Sequence, residues 1–527
     1  MNAYLAPKRM SPKLYENIVI SIAVGVAAAV FWLIVARNIG FDLSDEGYLW
    51  YGTQRLLHGE MPMRDFLAYD LGRYIYSALF LYAFQDSGLM SIRFAASFLI
   101  SFLVALVVFI TISAEKERTL LPKSIYGLTV GFLALLLVYP YYKVFDLTAS
   151  VVLVLSIYSL FLRPNFTSWS LLGFVVGSIA VVNRNHGVYG VLASLLAYSL
   201  LLVTPAVKKP HFKELGIWGF GIFIGYLPTL MAFVFVDGFF NSFLNGIQEQ
   251  LRNGQTNISL PVPWPWTVDI KVLGWVTSFP YIVKGFGFLL LLGFSIFGVM
   301  FILRHRNRVR TDASAFAAAL CVAIPYSHYA FSRADITHLT LSLYPVMIGL
   351  LTIPVGVRLE TRILFTVLLT TLTCTISRSP PVLFYADMGR DWEKIRVRTD
   401  ELFVRRTVAE SYERLTGLIE SQKSYATSFV ALPDMPGLHA IYESRIPIYD
   451  IYILSVTDPS REKTETQMLS KYRPNLILIS DEALDSDEML RFSILRPYMY
   501  KWINDNYHRT LSTSPRGHSA FEIYTAK

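Results

Sequence analysis

Residues 18–57 carry the pattern that decides the fold. They read "IVISIAVGVAAAVFWLIVARNIGFDLSDEGYLWYGTQRLL". The first part, Ile18–Ala36, contains no charged residue, and about 20 such residues in a helix cross the roughly 30 Å hydrocarbon core of a membrane. Two acids, Asp45 and Glu46, follow within a few residues. The stretch therefore predicts a membrane helix that carries a pair of carboxylates to one membrane surface.

The composition of the whole chain agrees with this pattern. Of 527 residues, 54% are hydrophobic and 16% are charged, whereas a soluble domain has about 25% charged residues. The mean hydropathy is +0.44. The net charge of +8 is typical of Lys and Arg retained at cytoplasmic membrane ends, and no aromatic stripe accompanies the basic residues as in a nucleic-acid interface. Cys321 and Cys374 both lie in apolar segments, so neither a disulfide framework nor a zinc site is indicated.

The N-terminus is short and basic. Lys8, Arg9 and Lys13 precede the first apolar run, as they would in a signal peptide. The run is too long for a signal peptide and lacks a small-residue cleavage site before Asn38, so we expect an uncleaved first helix.

Uncharged stretches of spanning length recur along the first ~375 residues and predict about eleven membrane spans. They are Ile18–Ala36, Ser91–Ser113, Tyr126–Tyr139, Thr148–Leu162, Leu171–Val182, Val188–Val203, Leu215–Val236, Val283–Leu303, Ala313–Tyr329, Leu339–Val355 and Ile363–Ile376.

The basic linkers between these spans indicate their orientation. With the N-terminus inside, every short basic linker falls on the cytoplasmic side, as the positive-inside rule requires. These linkers carry Lys116/Arg118/Lys123, Arg163, Lys208/Lys209/Lys213, the Arg304–Arg310 cluster and Arg358/Arg362. An odd number of spans places the C-terminus outside. We expect an α-helical polytopic protein of the inner (plasma) membrane, with residues 1–376 transmembrane and residues 377–527 forming an extracytoplasmic α/β domain.

The C-terminal part has the pattern of a soluble domain. Glu393–Gln422 is charged and amphipathic, which predicts a helix, and a second helical stretch covers Asp487–Asn504. Three short apolar runs predict strands. They are Ser428–Leu432, Pro474–Ile479 and Phe521–Thr525.

Two of the outside loops are long. The first, residues 40–90, mixes acidic, aromatic and amphipathic stretches. The other, Asp237–Tyr281, contains "PVPWPW" at Pro261–Trp266. The prolines prevent a helix and the tryptophans favour headgroup depth, so this segment predicts an interfacial anchor.

The acidic pair of the first loop is the strongest candidate for chemistry. The residues after it predict a short amphipathic helix lying on the bilayer, with Tyr48 and Leu49 on its apolar side and Gln54 on its polar side. A carboxylate at this depth could accept a proton from an incoming hydroxyl group. The alternative is that Ser44 or Asp45 only caps this helix.

The last outside turn supplies the second set, in "PYSHYAFSRADITHLTLSLYP". Ionisable residues at a helix end inside a membrane bundle are costly and usually functional. The planar guanidinium group of Arg333 can donate two parallel hydrogen bonds to a phosphate, and His338 could add another. The alternative is an Arg333–Asp335 pair that only marks the membrane boundary.

Two further outside turns add polar groups. "YPYYKVFD" contains Lys143 and Asp146, and "VVNRNHGVYG" contains Arg184 and His186. A single Lys or Arg here is more often a snorkelling anchor. The predicted outside turns carry mixed polar groups, whereas the cytoplasmic linkers carry mainly Lys and Arg. This contrast favours a cavity that opens to the outside.

With these motifs the sequence resembles the GT-C class of integral membrane glycosyltransferases, in the bacterial branch similar to protein O-mannosyltransferases and the lipid A aminoarabinose transferase. The resemblance rests on the acidic pair after span one, on "GEMPMRDF" at Gly59–Phe66, on Asp146, and on "NRNHGVYG" and "SRADITHL". It covers most of the chain.

The resemblance implies an inverting transfer from a polyprenyl-phosphate sugar to an extracytoplasmic glycan, lipid or protein, in contact with membrane lipids. Asp45 would be the catalytic base and Glu46 the second acid of the pair. Asp146 and Asp335 would be positioning residues. The leaving phosphate would be stabilised by Lys143, Arg184, Arg333 and His338.

Two points depart from a simple assignment. The additional acid Asp42 could be the base instead of Asp45. Some members of the class use a divalent cation such as Mg²⁺ or Mn²⁺, for which Asp45 and Asp146 could be ligands, and others use none. The cofactor therefore stays unknown at the sequence level.

Two other classes of function compete. A secondary transporter predicts inverted repeats and matched helix breaks, and neither is visible in the sequence. A non-catalytic envelope-glycan assembly protein would tolerate the loss of Asp45.

Overall fold

The structure, a computed structural model, describes residues 11–115, 119–205, 209–253, 258–354, 369, 379–421, 428–511 and 521–527. The α-helices are α1 Pro12–Val35, α2 Asp45–Leu57, α3 Leu71–Phe84, α4 Leu89–Ala114, α5 Leu120–Leu136, α6 Val144–Leu162, α7 Phe166–Val182, α8 Arg184–Val203, α9 Phe212–Gly225, α10 Leu227–Phe235, α11 Phe239–Asn253, α12 Ile270–Leu273, α13 Trp275–Arg304, α14 Ser314–Ser332, α15 Ile336–Leu351, α16 Pro380–Ala386, α17 Arg406–Ser421, α18 Pro436–Ile441, α19 Pro459–Tyr472, α20 Phe492–Leu495 and α21 Pro497–Asn506. The strands are β1 Trp392–Val397, β2 Asp400–Arg405, β3 Phe429–Leu432, β4 Leu476–Ser480, β5 Tyr507–Leu511 and β6 Phe521–Ala526.

The chain divides into two compact units. Unit 1 comprises residues 1–34, 96–230 and 259–379, and unit 2 comprises residues 35–95, 231–258 and 380–527. Unit 2 thus joins the whole of the first long loop with the C-terminal part of the chain.

Apolar helices of membrane-spanning length make this a multi-pass membrane protein. Within the described ranges, six helices are long and apolar enough to span, and α9 with α10 forms a seventh candidate bent by 53°. Three shorter apolar helices, α5, α7 and α15, coincide with further predicted spans. The eleventh predicted span, Ile363–Ile376, lies outside the described residues, as do Arg358, Arg362 and Cys374. The total of eleven therefore stays a prediction.

Small residues allow the helices of unit 1 to pack closely. A Cβ atom on Gly173 would lie 2.0 Å from the Trp218 carbonyl oxygen, and one on Gly177 would lie 2.2 Å from that of Ile222. Glycine at these sites lets α7 and α9 pack backbone to backbone, the usual way that helices associate where lipid offers no hydrophobic driving force.

The "PVPWPW" segment also belongs to unit 1. The rings of Trp264 and Trp266 stack at 5.4 Å with planes 3° apart. The Pro263 carbonyl packs against Gly285 of α13, where an added Cβ would lie 2.3 Å away. Its role as an interfacial anchor stays a prediction.

Unit 2 contains a four-stranded sheet with the order β3-β4-β6-β5. β3 and β4 are parallel, and the other two pairings are antiparallel. The three predicted strands coincide with β3, β4 and β6, while β5 was not expected. Their apolar side chains form a core with Leu415 and Ile419 of α17.

The predicted helix over Glu393–Gln422 is wrong in its first half. β1 and β2 form an antiparallel hairpin there, and a helix begins only at Arg406. The buried residues alternate along the hairpin at Ile395, Val397, Leu402 and Val404. This period of two is that of a strand, and the surrounding charges obscure it. The second predicted helix, Asp487–Asn504, is interrupted, and only α20 and α21 are α-helical within it.

The short helix after the acidic pair, α2, is present, but its predicted position on the bilayer surface is wrong. Its residues Glu46–Gln54 are buried. Gln54, expected on the polar face, donates to the carbonyl oxygens of Ser87 at 2.9 Å and Ala440 at 3.1 Å. The helix is therefore enclosed within unit 2 rather than half-exposed, and the two carbonyls satisfy the buried amide group.

Candidate functional site

Asp45 is the first residue of α2, in unit 2, and its side chain is half-buried. Its Oδ1 atom accepts a 2.9 Å hydrogen bond from the hydroxyl group of Tyr452. Burial raises the pKa of Tyr452 well above its usual value, and nearby Asp45 raises it further. The phenol therefore stays protonated and donates a hydrogen bond to the carboxylate.

Glu46, the second acid, has different surroundings. Arg93 of α4 donates to both of its oxygens, from Nε to Oε1 at 2.8 Å and from Nη2 to Oε2 at 3.0 Å. Both side chains are almost fully buried. Arg93 also donates to the carbonyl of Gly40 at 2.7 Å and to that of Arg37. Glu46 is thus part of a buried network that holds the chain between α1 and α2.

A third carboxyl group comes from the C-terminal part of the chain. Asp434 Oδ2 accepts from the Ser44 hydroxyl at 3.2 Å. Burial raises the pKa of Asp434, and the negative charges of Asp45 and Glu482 raise it further, against the opposing hydrogen bond from Ser44. The surroundings of Asp45 are therefore acidic as well as aromatic.

Two glycines bring Asp434 to the start of α2. The Gly437 amide donates to the Leu43 carbonyl at 2.8 Å. A Cβ atom on Gly47 would lie 2.5 Å from the Gly437 Cα atom. The N-terminal turns of α2 and α18 therefore touch through backbone alone, and a side chain at either position would separate Asp434 from Asp45.

Tyrosine rings line the same region. Tyr48 stacks on Tyr452 at 5.1 Å and meets the edge of Tyr69 at 4.8 Å. The guanidinium group of Arg73 lies 4.7 Å from the centroid of the Tyr69 ring. Such an arrangement of rings and carboxylates suits a sugar, whose apolar faces pack on aromatics while its hydroxyl groups bond to carboxylates.

In unit 1 the structure brings Asp146 together with the turn before α8. Asn183 Nδ2 donates to Asp146 Oδ1 at 3.1 Å. His186 Nε2 lies 3.2 Å from the same oxygen, within ion-pair distance but not in hydrogen-bond geometry, and both side chains are buried. The other ring nitrogen, Nδ1, lies 2.7 Å from the Tyr326 hydroxyl. Asp146 therefore lies against a buried histidine and accepts from Asn183.

The turn between α14 and α15 forms a second polar group in unit 1. Asp335 caps α15 by accepting from the His338 backbone amide at 2.8 Å. Its carboxylate also pairs with the His338 ring at 2.8 Å and with Arg333 Nε at 2.7 Å. Burial raises the pKa of Asp335, but the bonds from His338 and Arg333 outweigh it and bring the value to about 2. The expected boundary pair, Arg333–Asp335, is present, and His338 makes it a triad.

One tyrosine links these two groups. The ring of Tyr329 lies 5.3 Å from that of His186 and 4.6 Å from that of His338. The sequence-predicted residues Asp146, Arg333, Asp335 and His338 therefore share one connected cluster within unit 1.

The remaining predicted cations lie nearby in sequence. Lys143 ends a short 3₁₀ turn directly before α6, three residues from Asp146. Arg184 is the first residue of α8, next to Asn183. Lys284 of α13, which the sequence analysis missed, lies within electrostatic range of Asp335.

A metal site has little support. The part of the chain that the structure describes contains no group of three or more His, Cys, Asp or Glu side chains that could hold an ion. Asp146 Oδ1 already meets Asn183 and His186. The described residues therefore do not form a cation-binding set.

Sequence reasoning also missed Tyr452, Asp434 and Arg93. Arg93 had one usable signal, because a charged residue near the start of an apolar span requires a partner. Tyr452 and Asp434 are separated from Asp45 by about 400 residues of sequence, and no local pattern marks them.

Comparison with solved structures gives a distant likeness to an archaeal enzyme. Archaeal oligosaccharyltransferase AglB from Archaeoglobus fulgidus, in complex with an inhibitory peptide and a dolichol-phosphate, aligns with a TM-score of 0.39 and 12% identity, over 98% of this chain and 74% of that chain. The Archaeoglobus fulgidus oligosaccharyltransferase complex with Zn and sulfate aligns with a TM-score of 0.41 and 12% identity, over 96% and 72%. A likeness this low assigns neither fold nor activity. No protein-family model matches the chain, and no curated protein sequence matches it.

Proposed function

We propose that this protein is an integral membrane glycosyltransferase of GT-C type. It moves a sugar, with inversion, from a polyprenyl-phosphate donor to an extracytoplasmic acceptor, at the outer face of the inner (plasma) membrane. The observation that carries the proposal is the contrast within the acidic pair. Glu46 is neutralised by Arg93, whereas Asp45 is half-buried and oriented by Tyr452. We assign the bracing of the loop to Glu46 and the chemistry to Asp45.

Asp45 acts as the general base in this proposal. It takes the proton of the acceptor hydroxyl group while the hydroxyl oxygen attacks the anomeric carbon. The bond from that carbon to the phosphate oxygen breaks on the opposite face, and the electron pair leaves with the polyprenyl phosphate. The products are the glycosylated acceptor and a lipid phosphate, with the configuration at the anomeric carbon inverted.

The cations of unit 1 are assigned to the leaving phosphate. Arg333 and His338 share the carboxylate of Asp335, which holds both in fixed orientations. Lys143 and Arg184 add positive charge near Asp146 in sequence. Fixed cations stabilise the charge that develops on a departing phosphate without reorganising during the reaction.

A lipid-phosphate donor also fits the proposed sidedness. Nucleotide sugars are cytoplasmic, and the acidic pair faces outward in the topology expected from the basic linkers. A polyprenyl carrier supplies an activated sugar on that side. The extracytoplasmic C-terminal domain, residues 377–527, contributes Tyr452 and Asp434 beside Asp45 in this proposal.

The decisive experiment is Asp45→Asn in proteoliposomes supplied with a panel of synthetic polyprenyl-phosphate hexoses and pentoses, with release of polyprenyl phosphate as the readout. Removing a general base lowers the rate by about 10²–10⁴-fold. Asp42→Asn separates the two candidate bases. It should keep transfer, because Asp42 Oδ1 accepts from the Ser44 amide at 2.8 Å, and a loss in Asp42→Asn alone would move the base to Asp42. Transfer by Asp45→Asn at a rate near wild type would overturn the assignment of Asp45 as the base. Absence of transfer by the wild type with every donor of the panel would favour a non-catalytic assembly protein.

A further inference from the structure

Unit 1 contains a cavity of about 390 Å³ that none of the proposed chemistry uses. It lies where α6 and α8 end and where α7 and α9 begin. The opposite ends of α6 and α8 carry Asp146 and His186. Since the 19 residues of α6 rise by about 28 Å, the cavity and the Asp146 cluster lie at opposite ends of the helical bundle, about one hydrocarbon thickness apart.

Three basic side chains line the cavity, namely Arg163, Lys209 and Arg310. Among the described residues, no ion pair joins any of them to a carboxylate. The Nε atom of Arg310 is buried and makes no hydrogen bond within the described part of the chain. A buried guanidinium nitrogen without an acceptor costs free energy unless a ligand supplies one.

The lining carries these three cations and one carboxylate, that of Glu214, so its net charge is positive. Glu214 accepts a 2.8 Å hydrogen bond from the His211 backbone amide and so closes the first turn of α9. Two helices also begin here, and α7 is capped by Asn165, which lines the cavity. Helix N-termini add positive potential to that of the three cations. The cavity is therefore electropositive and able to hold an anion.

The surroundings indicate that the anion is attached to a lipid. Trp169 and Leu201 form buried apolar walls. Beside the cavity, Phe166 and Phe212 at the starts of α7 and α9 are 67% and 86% exposed. In a membrane protein such apolar side chains face lipid tails, so an acyl chain can run along them while the headgroup enters the cavity.

We propose that this cavity binds the phosphate headgroup of an anionic phospholipid, with Arg163, Lys209 and Arg310 as its cationic contacts. Basic pockets between membrane helices are suited to such headgroups. A zwitterionic headgroup would place its own positive group close to these three cations, and the repulsion would disfavour its binding. The expected topological role of Arg163 and Arg310 is compatible with this site, which is independent of the proposed transferase activity.

Native mass spectrometry of the full chain in neutral detergent tests the proposal, with phosphatidylglycerol and phosphatidylcholine as the lipids. The wild type is expected to retain phosphatidylglycerol selectively. The triple variant Arg163→Gln/Lys209→Gln/Arg310→Gln is expected to lose on the order of fivefold in affinity per cation, since each contributes about 1 kcal/mol near an anionic surface.

The matched control removes the same charge from exposed positions that do not line the cavity, as Arg304→Gln/Arg306→Gln/Lys213→Gln. It should keep the lipid. Equal losses in the two triple variants would overturn the site in favour of diffuse surface charge. Displacement of the lipid by low millimolar inorganic phosphate would overturn the lipid assignment and identify a soluble phosphate ester as the ligand.

Discussion

Arg93 donates two parallel hydrogen bonds to Glu46, at 2.8 and 3.0 Å, and both side chains are almost fully buried. This pair distinguishes two acids that are adjacent in sequence. Neighbouring residues on a helix point about 100° apart, so Glu46 turns into unit 2 toward α4 while Asp45 meets Tyr452.

The buried pair predicts a large stability effect. Arg93→Leu leaves the Glu46 carboxylate buried without its cation, and breaking such a pair typically costs about 3–5 kcal/mol. We expect a lower unfolding midpoint in detergent, with partial recovery in Glu46→Gln/Arg93→Leu, where no charge is stranded. The control Lys394→Ala breaks an exposed pair with Glu401 and should change little. An unchanged unfolding midpoint in Arg93→Leu would contradict the stabilising role of the pair.

Tyr452→Phe is expected to lower kcat with a smaller effect on KM. The substitution removes only the hydroxyl group that donates to Asp45, and a hydrogen bond to a charged group contributes about 1.5–3 kcal/mol. A loss of about tenfold or more in the transfer rate follows. Tyr449→Phe is the control, because that hydroxyl donates to the Met63 carbonyl instead. Equal effects of both substitutions would mean that Tyr452 acts only through folding.

Two substitutions in the turn between α14 and α15 should differ in their effect on donor binding. Arg333→Ala removes a proposed phosphate contact and should weaken binding of the donor lipid, by about tenfold for one charged hydrogen bond. Asp335→Asn keeps a helix cap but removes the negative charge that Arg333 and His338 share. Donor binding should then be unchanged or tighter. Binding of a polyprenyl-phosphate sugar, measured by calorimetry, separates these outcomes, and unchanged affinity in Arg333→Ala would remove its assignment.

Glu465 predicts a pH-dependent stability of unit 2. Burial, together with the charge of Asp450, raises the pKa of Glu465 to about 7, above the usual value of about 4.3. Because the pKa of Glu465 is higher in the folded than in the unfolded protein, its protonated form stabilises the fold. This stabilisation is complete below the pKa of the unfolded state and is lost as the pH rises through about 7. The temperature at which the wild type unfolds should therefore decrease as the pH is raised from about 5 to about 8.

Glu465→Gln should flatten this pH dependence, because glutamine mimics the neutral acid and can still accept from the Asp450 amide. Glu413→Gln, an exposed position, should keep the wild-type slope. The same slope in all three proteins would show that Glu465 does not titrate in this range.

Hydrophobic patterning was sufficient for the membrane helices and for three strands. Long uncharged runs have one physical solution in a bilayer, because every backbone amide must find its partner within the segment. For this reason the described helices coincide with ten predicted spans, from Ile18–Ala36 to Leu339–Val355. Where charge obscured the period, as in Glu393–Arg405, the same reasoning produced a helix in place of a hairpin.

The candidate residues were recognised from sequence by type and position, but not their partners. Asp45, Asp146, Arg333 and His338 stand out as ionisable groups at the ends of apolar segments, which is a local property. The Tyr452 bond to Asp45 and the Arg93 pair with Glu46 depend on chain segments brought together only by packing. A hydrogen bond requires two atoms within about 3 Å, and sequence separation carries no information about that distance. The sequence alone therefore determined which carboxylates are candidates for chemistry. Only the tertiary structure decided that Arg93 pairs with Glu46 and that the Tyr452 phenol bonds to Asp45.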